Sequence, residues 1–329
     1  MRHVASIATL FGVGLAVGVP FLVAGSAAPS SLRNVAPHMI LLLAGLAAIS
    51  SIAKAGKLQV LLVSLGQRPV FLNTLAISLA TDFAFLSSPA GAAGYVVNIA
   101  LLRKFGTSWS LATTVVGAEQ ALDLLFFGVA VPIAVVANSG PLALLLPKVS
   151  DGAYLALATV VLLSASVFWY GRHRIVTALH CFVGTIPWLQ AKQERFGGLL
   201  SEVRLQIGRL LRGDAGRNLL LLALTSLQWL TRYGVLWVVL MELGYRLPFG
   251  FLLALQAGVL HLAQWTGIPA GGGAADVALA VVLVPWVSSS DITTVLILWR
   301  FATLYFPLIV GALSLAALTG RRSAPDFSP

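Results

Sequence analysis

The chain has 329 residues, of which 58% are hydrophobic and 10% charged, with a mean hydropathy of +0.93. That composition excludes an ordinary soluble domain and defines an all-α, polytopic membrane protein. A single cysteine, Cys181, excludes an internal disulfide, and the net charge of +10 lies beside apolar runs instead of among the aromatics of a nucleic-acid surface.

After Met1-Arg2-His3 an apolar run continues to about Ala24, long enough to span and therefore read as a retained first helix. Residues 4 to 24 and 36 to 53 make two crossings. Lys54, Lys57 and Arg68 follow as cytoplasmic flanks of a short interfacial segment, Leu58 to Leu65. Residues 70 to 86 and 92 to 102 are apolar and are separated by Ser87-Ser88-Pro89-Ala90-Gly91-Ala92-Ala93-Gly94, so 70 to 106 reads as a broken hairpin. Residues 109 to 137 and 152 to 170 form two more crossings, parted by Asn138-Ser139-Gly140-Pro141 and Pro147. The segment 171 to 217 carries eight basic residues and three acidic ones and contains the spacing of an amphipathic surface helix. Then come residues 218 to 241, 249 to 267, a second break from Ile268 to Asp276, 277 to 287, and 292 to 318. The whole is one transmembrane domain, 1 to 322, divided as 1–69, 70–170, 171–217 and 218–322, with a tail at 323–329.

The two breaks organise this plan. Proline and glycine make an unbroken helix improbable, and backbone freed at membrane depth must be covered by protein or face a wet cavity. With the N- and C-termini in the cytoplasm, sixteen basic residues fall inside and Arg33, Lys148 and Arg246 outside. Hairpins 70–106 and 248–287 then enter from opposite sides, the layout of an inverted repeat whose broken helices meet near the midplane. The alternative is glycine serving only the close packing of ordinary helices.

Seven ionisable residues fall in or at the edge of spans: Asp82, Glu119, Asp123, Arg232, Glu242, Asp276 and Arg300. Each is costly in the membrane unless paired or facing a cavity. Glu119 and Asp123 share a helix face, and Arg232 and Arg300, the only deep cations on this reading, are their expected partners. Such pairs either serve a site or merely hold the bundle together. Asp276 either caps the helix it begins or leaves the N–H groups of Gly273 and Ala274, like those after Gly91, to bind an anion such as phosphate. Gln228 with Arg232, and His261 with Gln264, share faces and predict a polar lining near the second hairpin. Trp109, Trp188, Trp265, Trp286 and Trp299 fall near span ends and breaks and read as an interfacial belt.

The run from Phe71 to Asp123 contains Ser88-Pro89-Ala90-Gly91-Ala92-Ala93-Gly94, Leu101-Leu102-Arg103-Lys104-Phe105-Gly106 and Glu119-Gln120-Ala121-Leu122-Asp123. Together with Pro269 to Asp276, Trp299-Arg300-Phe301, Tyr305-Phe306-Pro307 and Gly311, it resembles the lysylphosphatidylglycerol synthase transmembrane-region family, in matching order over most of the chain. Gln120 stands where the family commonly has arginine, and Asp276 where it often has glutamate. The resemblance implies a bacterial inner-membrane protein of the lipid-flippase type, or a relative handling glycolipids, polyprenyl carriers or hopanoids, here without the aminoacyl-transferring domain of the fused members.

The expected function is therefore a lipid translocator and not an enzyme, without cofactor or metal. The expected substrate site comprises Asp82, Pro89, Gly91, Gly94, Glu119, Asp123, Arg232, Pro269, Gly271, Gly272, Gly273, Asp276 and Arg300. Membrane lipid is the expected ligand, with a second copy or a lipid-modifying enzyme as the possible protein partner. The alternatives are a small-solute or ion-coupled transporter using the same hairpins, and an accessory protein that recruits a lipid-modifying enzyme through 171 to 217.

Overall fold

A computed structural model describes residues 36–141, 159, 193–211, 214–264, 266–271 and 273–320, and all described regular elements are helical. The described residues form ten α-helices: α1 Pro37–Ser64, α2 Phe71–Leu86, α3 Ala92–Lys104, α4 Trp109–Ala137, α5 Gln193–Leu211, α6 Ala215–Glu242, α7 Phe249–Gln264, α8 Ala274–Leu283, α9 Ser289–Arg300 and α10 Phe306–Gly320. A π-helical turn, Phe301–Tyr305, joins α9 to α10 in one 32-residue rod, Ser289–Gly320. That rod, α1, α4 and α6 are each long and apolar enough to cross a membrane. The expected crossings at 4 to 24 and 152 to 170 lie outside the described residues, apart from Thr159.

Local chemistry explains the ends. Pro37 opens α1, where its missing N–H costs nothing. Ser108 caps α4 by accepting from Leu111 N–H at 3.1 Å, and Ser288 caps α9 by accepting from Asp291 N–H at 3.3 Å. Helix α5 forms within the basic segment, as the amphipathic spacing predicts.

One expectation fails at α1. It runs through Lys54, Lys57 and Leu58 to Ser64 without interruption, so Leu58 to Leu65 is no interfacial segment. Leu58, Leu61 and Leu62 are buried in the core around Leu102 and Phe105. The two lysines end the apolar run only in the sequence. In three dimensions they face inward, and nothing at 54–57 breaks the helix.

Helices α1 and α6 pack antiparallel. His38 meets Glu242 at one end, Ser50 Oγ donates to Gln228 O at 2.9 Å in the middle, and Gly56 lies against Leu224 further along. Met39 and Leu43 accordingly share a core with Val235 to Leu240.

The halves also exchange. Helix α2 packs on α10 as α7 packs on α4; α1 packs on α2 as α6 on α7; α2–α3 and α3–α4 match α7–α8 and α8–α9; and the two breaks touch each other. Because the exchanged helices α1 and α6 run antiparallel, the relating axis lies across the helices and the halves are inverted.

Candidate functional site

Each break is a single 3₁₀ turn of the same three residues, Pro89-Ala90-Gly91 and Pro269-Ala270-Gly271. Proline cannot extend the preceding helix, and Gly91 and Gly271 take left-handed backbone (φ 72° and 63°) that a side chain would strain. Ala90 is held at φ 51° between them. Ser88 staples the first break by donating to Ala84 O at 2.7 Å and accepting from Ala93 N–H at 3.1 Å. That N–H is therefore not free for an anion, contrary to expectation.

Where the breaks meet, α1, α2, α3, α4, α6, α7, the end of α9 and the π-turn line a cavity of about 430 Å³. Tyr95 on α3 and Leu124 on α4 line it and are exposed, and Tyr95 Oη donates to Gln120 Oε1 at 3.1 Å. Of the expected site residues, Asp82, Gly91, Glu119, Asp123, Arg232, Gly271 and Arg300 line it, as do Gln228, His261 and Gln264. Pro89, Gly94, Pro269, Gly273 and Asp276 are not among the lining residues, and Gly272 lies outside the described residues.

The ion pairs differ from those the sequence suggests. Lys54 on α1 pairs with Asp82 on α2. Lys57, with a side chain 0% exposed, donates to Asp123 Oδ1 on α4 at 2.6 Å, and Trp229 Nε1 on α6 donates to the same oxygen at 2.8 Å. Arg300 holds Asp276 through Nε and Nη2 at 2.6 and 2.7 Å. Asp276 thus spends both carboxylate oxygens on a guanidinium fork, makes no cap hydrogen bond, and draws α9 onto α8. The expected pairing of Glu119 and Asp123 with Arg232 and Arg300 is replaced: Glu119 Oε2 accepts from Asn98 Nδ2 at 3.0 Å.

Arg232 makes no ion pair among the described residues. Its Nη2 donates to Thr303 O at 3.4 Å and its guanidinium lies 6.0 Å from the Trp229 ring. Pro307, four residues beyond Thr303, has no N–H to offer that carbonyl, which leaves it open to the arginine. His261 Nδ1 lies 2.7 Å from Ala257 O, and its ring sits edge-on to Phe127, a packed arrangement. Trp299 is 0% exposed and donates to Gln256 Oε1 at 3.0 Å, so it is a core residue and no part of an interfacial belt. Trp109 stays exposed beside Arg103, while Trp188 and Trp265 lie outside the described residues.

The inverted halves explain this layout. Lys54 and Arg232 occupy matching places on α1 and α6. Lys54 finds Asp82 on α2, but α7 offers no carboxylate to Arg232. The asymmetry of the two halves is thus one of charge.

Fold and site together define a polytopic helical membrane protein with a polar cavity at paired helix breaks. The family model for the lysylphosphatidylglycerol synthase TM region matches residues 9–311, and the chain belongs to that family. It is also similar to a UPF0104 membrane protein of Archaeoglobus fulgidus, with 24% identity over 262 residues, covering 76% of this chain and 77% of the relative.

Proposed function

We propose that the protein moves amphipathic lipids across the cytoplasmic membrane, with the head group passing through the cavity between the breaks while the acyl chains stay in the bilayer. The observation that carries this reading is Arg232, a cavity-lining cation without a carboxylate partner among the described residues. A guanidinium is suited to a planar, bidentate grip on phosphate. The other cavity cations, Lys54 and Arg300, hold carboxylates and serve to keep the helices in place. Membership of a family named for a lipid-handling protein supports a lipid ligand. Inverted hairpins give alternating access without a fixed tunnel. The basic flanks Arg68, Arg103 and Lys104, with helix α5, support a cytoplasmic side for the N- and C-termini.

A second reading draws on the cavity itself. Its volume of about 430 Å³ falls within the range of small-molecule sites, which suits a hydrophilic solute carried whole. Proteoliposomes carrying head-group-labelled phospholipids separate the two. Lipid translocation should exceed that of empty vesicles and fall to their level in Arg232→Gln. Saturable uptake of a soluble solute with no lipid movement, or identical lipid rates in wild type and variant, overturns the lipid reading.

A further inference from the structure

Three oxygens on the cavity residues are buried and have no hydrogen-bond donor among the described residues: Asn98 Oδ1, Glu119 Oε1 and Gln228 Oε1. Their residues are only 4%, 3% and 3% exposed. A buried acceptor without a donor costs about 1–3 kcal/mol, and more when it is charged. Asn98 has already given an N–H to Glu119 Oε2, so its Oδ1 and the second carboxylate oxygen belong to one bonded pair that still lacks a positive partner. The nearby lysines do not supply it. Lys54 and Lys57 act on Glu119 from α1, but each is bound to another carboxylate, Asp82 and Asp123.

In the second half the buried Asp276 has its cation built into the chain as Arg300. In the first half the buried Glu119 meets only the Asn98 amide, and the cation has to come from outside.

We propose that Glu119, Asn98 and Gln228 form the binding site of a monovalent cation, a proton or a sodium ion, taken up from water through the cavity and coupled to transport. The coupling rests on the lipid reading above; the binding does not. A proton adds to the Glu119 carboxylate, and the resulting O–H donates to an unpartnered oxygen. A sodium ion is held by the same hard oxygen donors that suit such cations. The other charged or titratable groups around the site are Lys54, Lys57, Asp82, Tyr95, Asp123, Arg232, Tyr233, His261 and Arg300; Lys54 is ion-paired with Asp82, Lys57 with Asp123 and Arg300 with Asp276. Loading neutralises Glu119 and leaves the cavity with Arg232 as its unmatched charge, which favours an anionic head group in the loaded state.

Infrared difference spectra of the purified protein in nanodiscs test the binding, in one arm by stepping pH at constant salt and in the other by exchanging choline for sodium at constant pH. A carboxylic-acid carbonyl band that grows on acidification identifies the proton; a sodium-dependent shift of the carboxylate bands, with a raised thermal midpoint, identifies the metal ion. Either signal should vanish in Glu119→Gln and need about tenfold or more cation in Asn98→Ala, the size expected for losing a hydrogen bond to a charged group. Silence in both arms, or the same signal in Glu119→Gln, overturns the site.

In proteoliposomes an inward gradient of the identified cation should accelerate lipid movement in the wild type, and Glu119→Gln should lose that response. Lipid movement indifferent to the gradient overturns the coupling. A cation signal without lipid movement removes the lipid reading and leaves the binding site standing.

Discussion

Lys57 is a lysine with no solvent-exposed side-chain surface, inside a helix long enough to span a membrane. It is tolerable only because Asp123 and Trp229 complete its environment, so removing it strands a buried carboxylate. Lys57→Met should lower stability by about 3–5 kcal/mol, read as a depressed thermal midpoint, and Lys57→Met with Asp123→Leu should recover most of the loss. A double variant no better than the single would show that the pair does not act as a unit. Arg232→Gln should behave oppositely, with an unchanged midpoint and loss of co-purified phospholipid in native mass spectrometry, since no carboxylate depends on it. Arg232, Asp82, Glu119 and Arg300 were legible in the sequence because a charge amid apolar residues stands out. Lys54 and Lys57 were not: a lysine at the edge of an apolar run is indistinguishable by composition from an interfacial flank. The signal available was helical spacing, which continues through Ala47, Ser51, Ala55, Leu58 and Leu62 without a proline. Asn98 carries no charge and gave no warning of its place opposite Glu119.

At the scale of elements, the breaks were readable because the backbone limits of proline and glycine act locally, whatever surrounds them. What could not be read was the packing that shapes each break. Gly94, a position chosen from its motif alone, proves to lie under the Phe85 ring, where an added Cβ would collide with it. Gly94→Val should therefore disrupt the α2–α3 hairpin and lower the thermal midpoint, and Gly94→Val with Phe85→Ala should restore part of it. A Gly94→Val protein of wild-type stability would show that the ring is free to move aside. The π-turn at Phe301–Tyr305 was equally hidden, since it depends on how Arg300, buried against Asp276, and Pro307 sit in one rod. Pro307→Ala supplies an N–H that can compete for Thr303 O. Lipid translocation should fall while the midpoint holds or rises, and translocation equal to wild type would remove the Thr303 contact from the account.

For the molecule as a whole, the charge distribution led to inverted hairpins, and the antiparallel packing of α1 and α6 with exchanged neighbours gives the same relation from geometry. The agreement is instructive because two of the sixteen residues assigned to the cytoplasmic side, Lys54 and Lys57, do not lie on a flank at all. The remaining flanks still carry the asymmetry. The pairing of charges across the bundle depends on which helices touch, and one-dimensional spacing contains that only for neighbours on one helix. The central claim is that a lipid head group enters the cavity between the breaks and meets Arg232. A phospholipid with a photoreactive head group, activated in the membrane and mapped by peptide mass spectrometry, tests it most directly. The account predicts adducts on α6 around Gln228–Tyr233 and on the Ala90–Tyr95 segment, lost in Arg232→Gln. Adducts confined to the exposed outer positions Leu41, Leu72 and Ile133, unchanged in the variant, would contradict it.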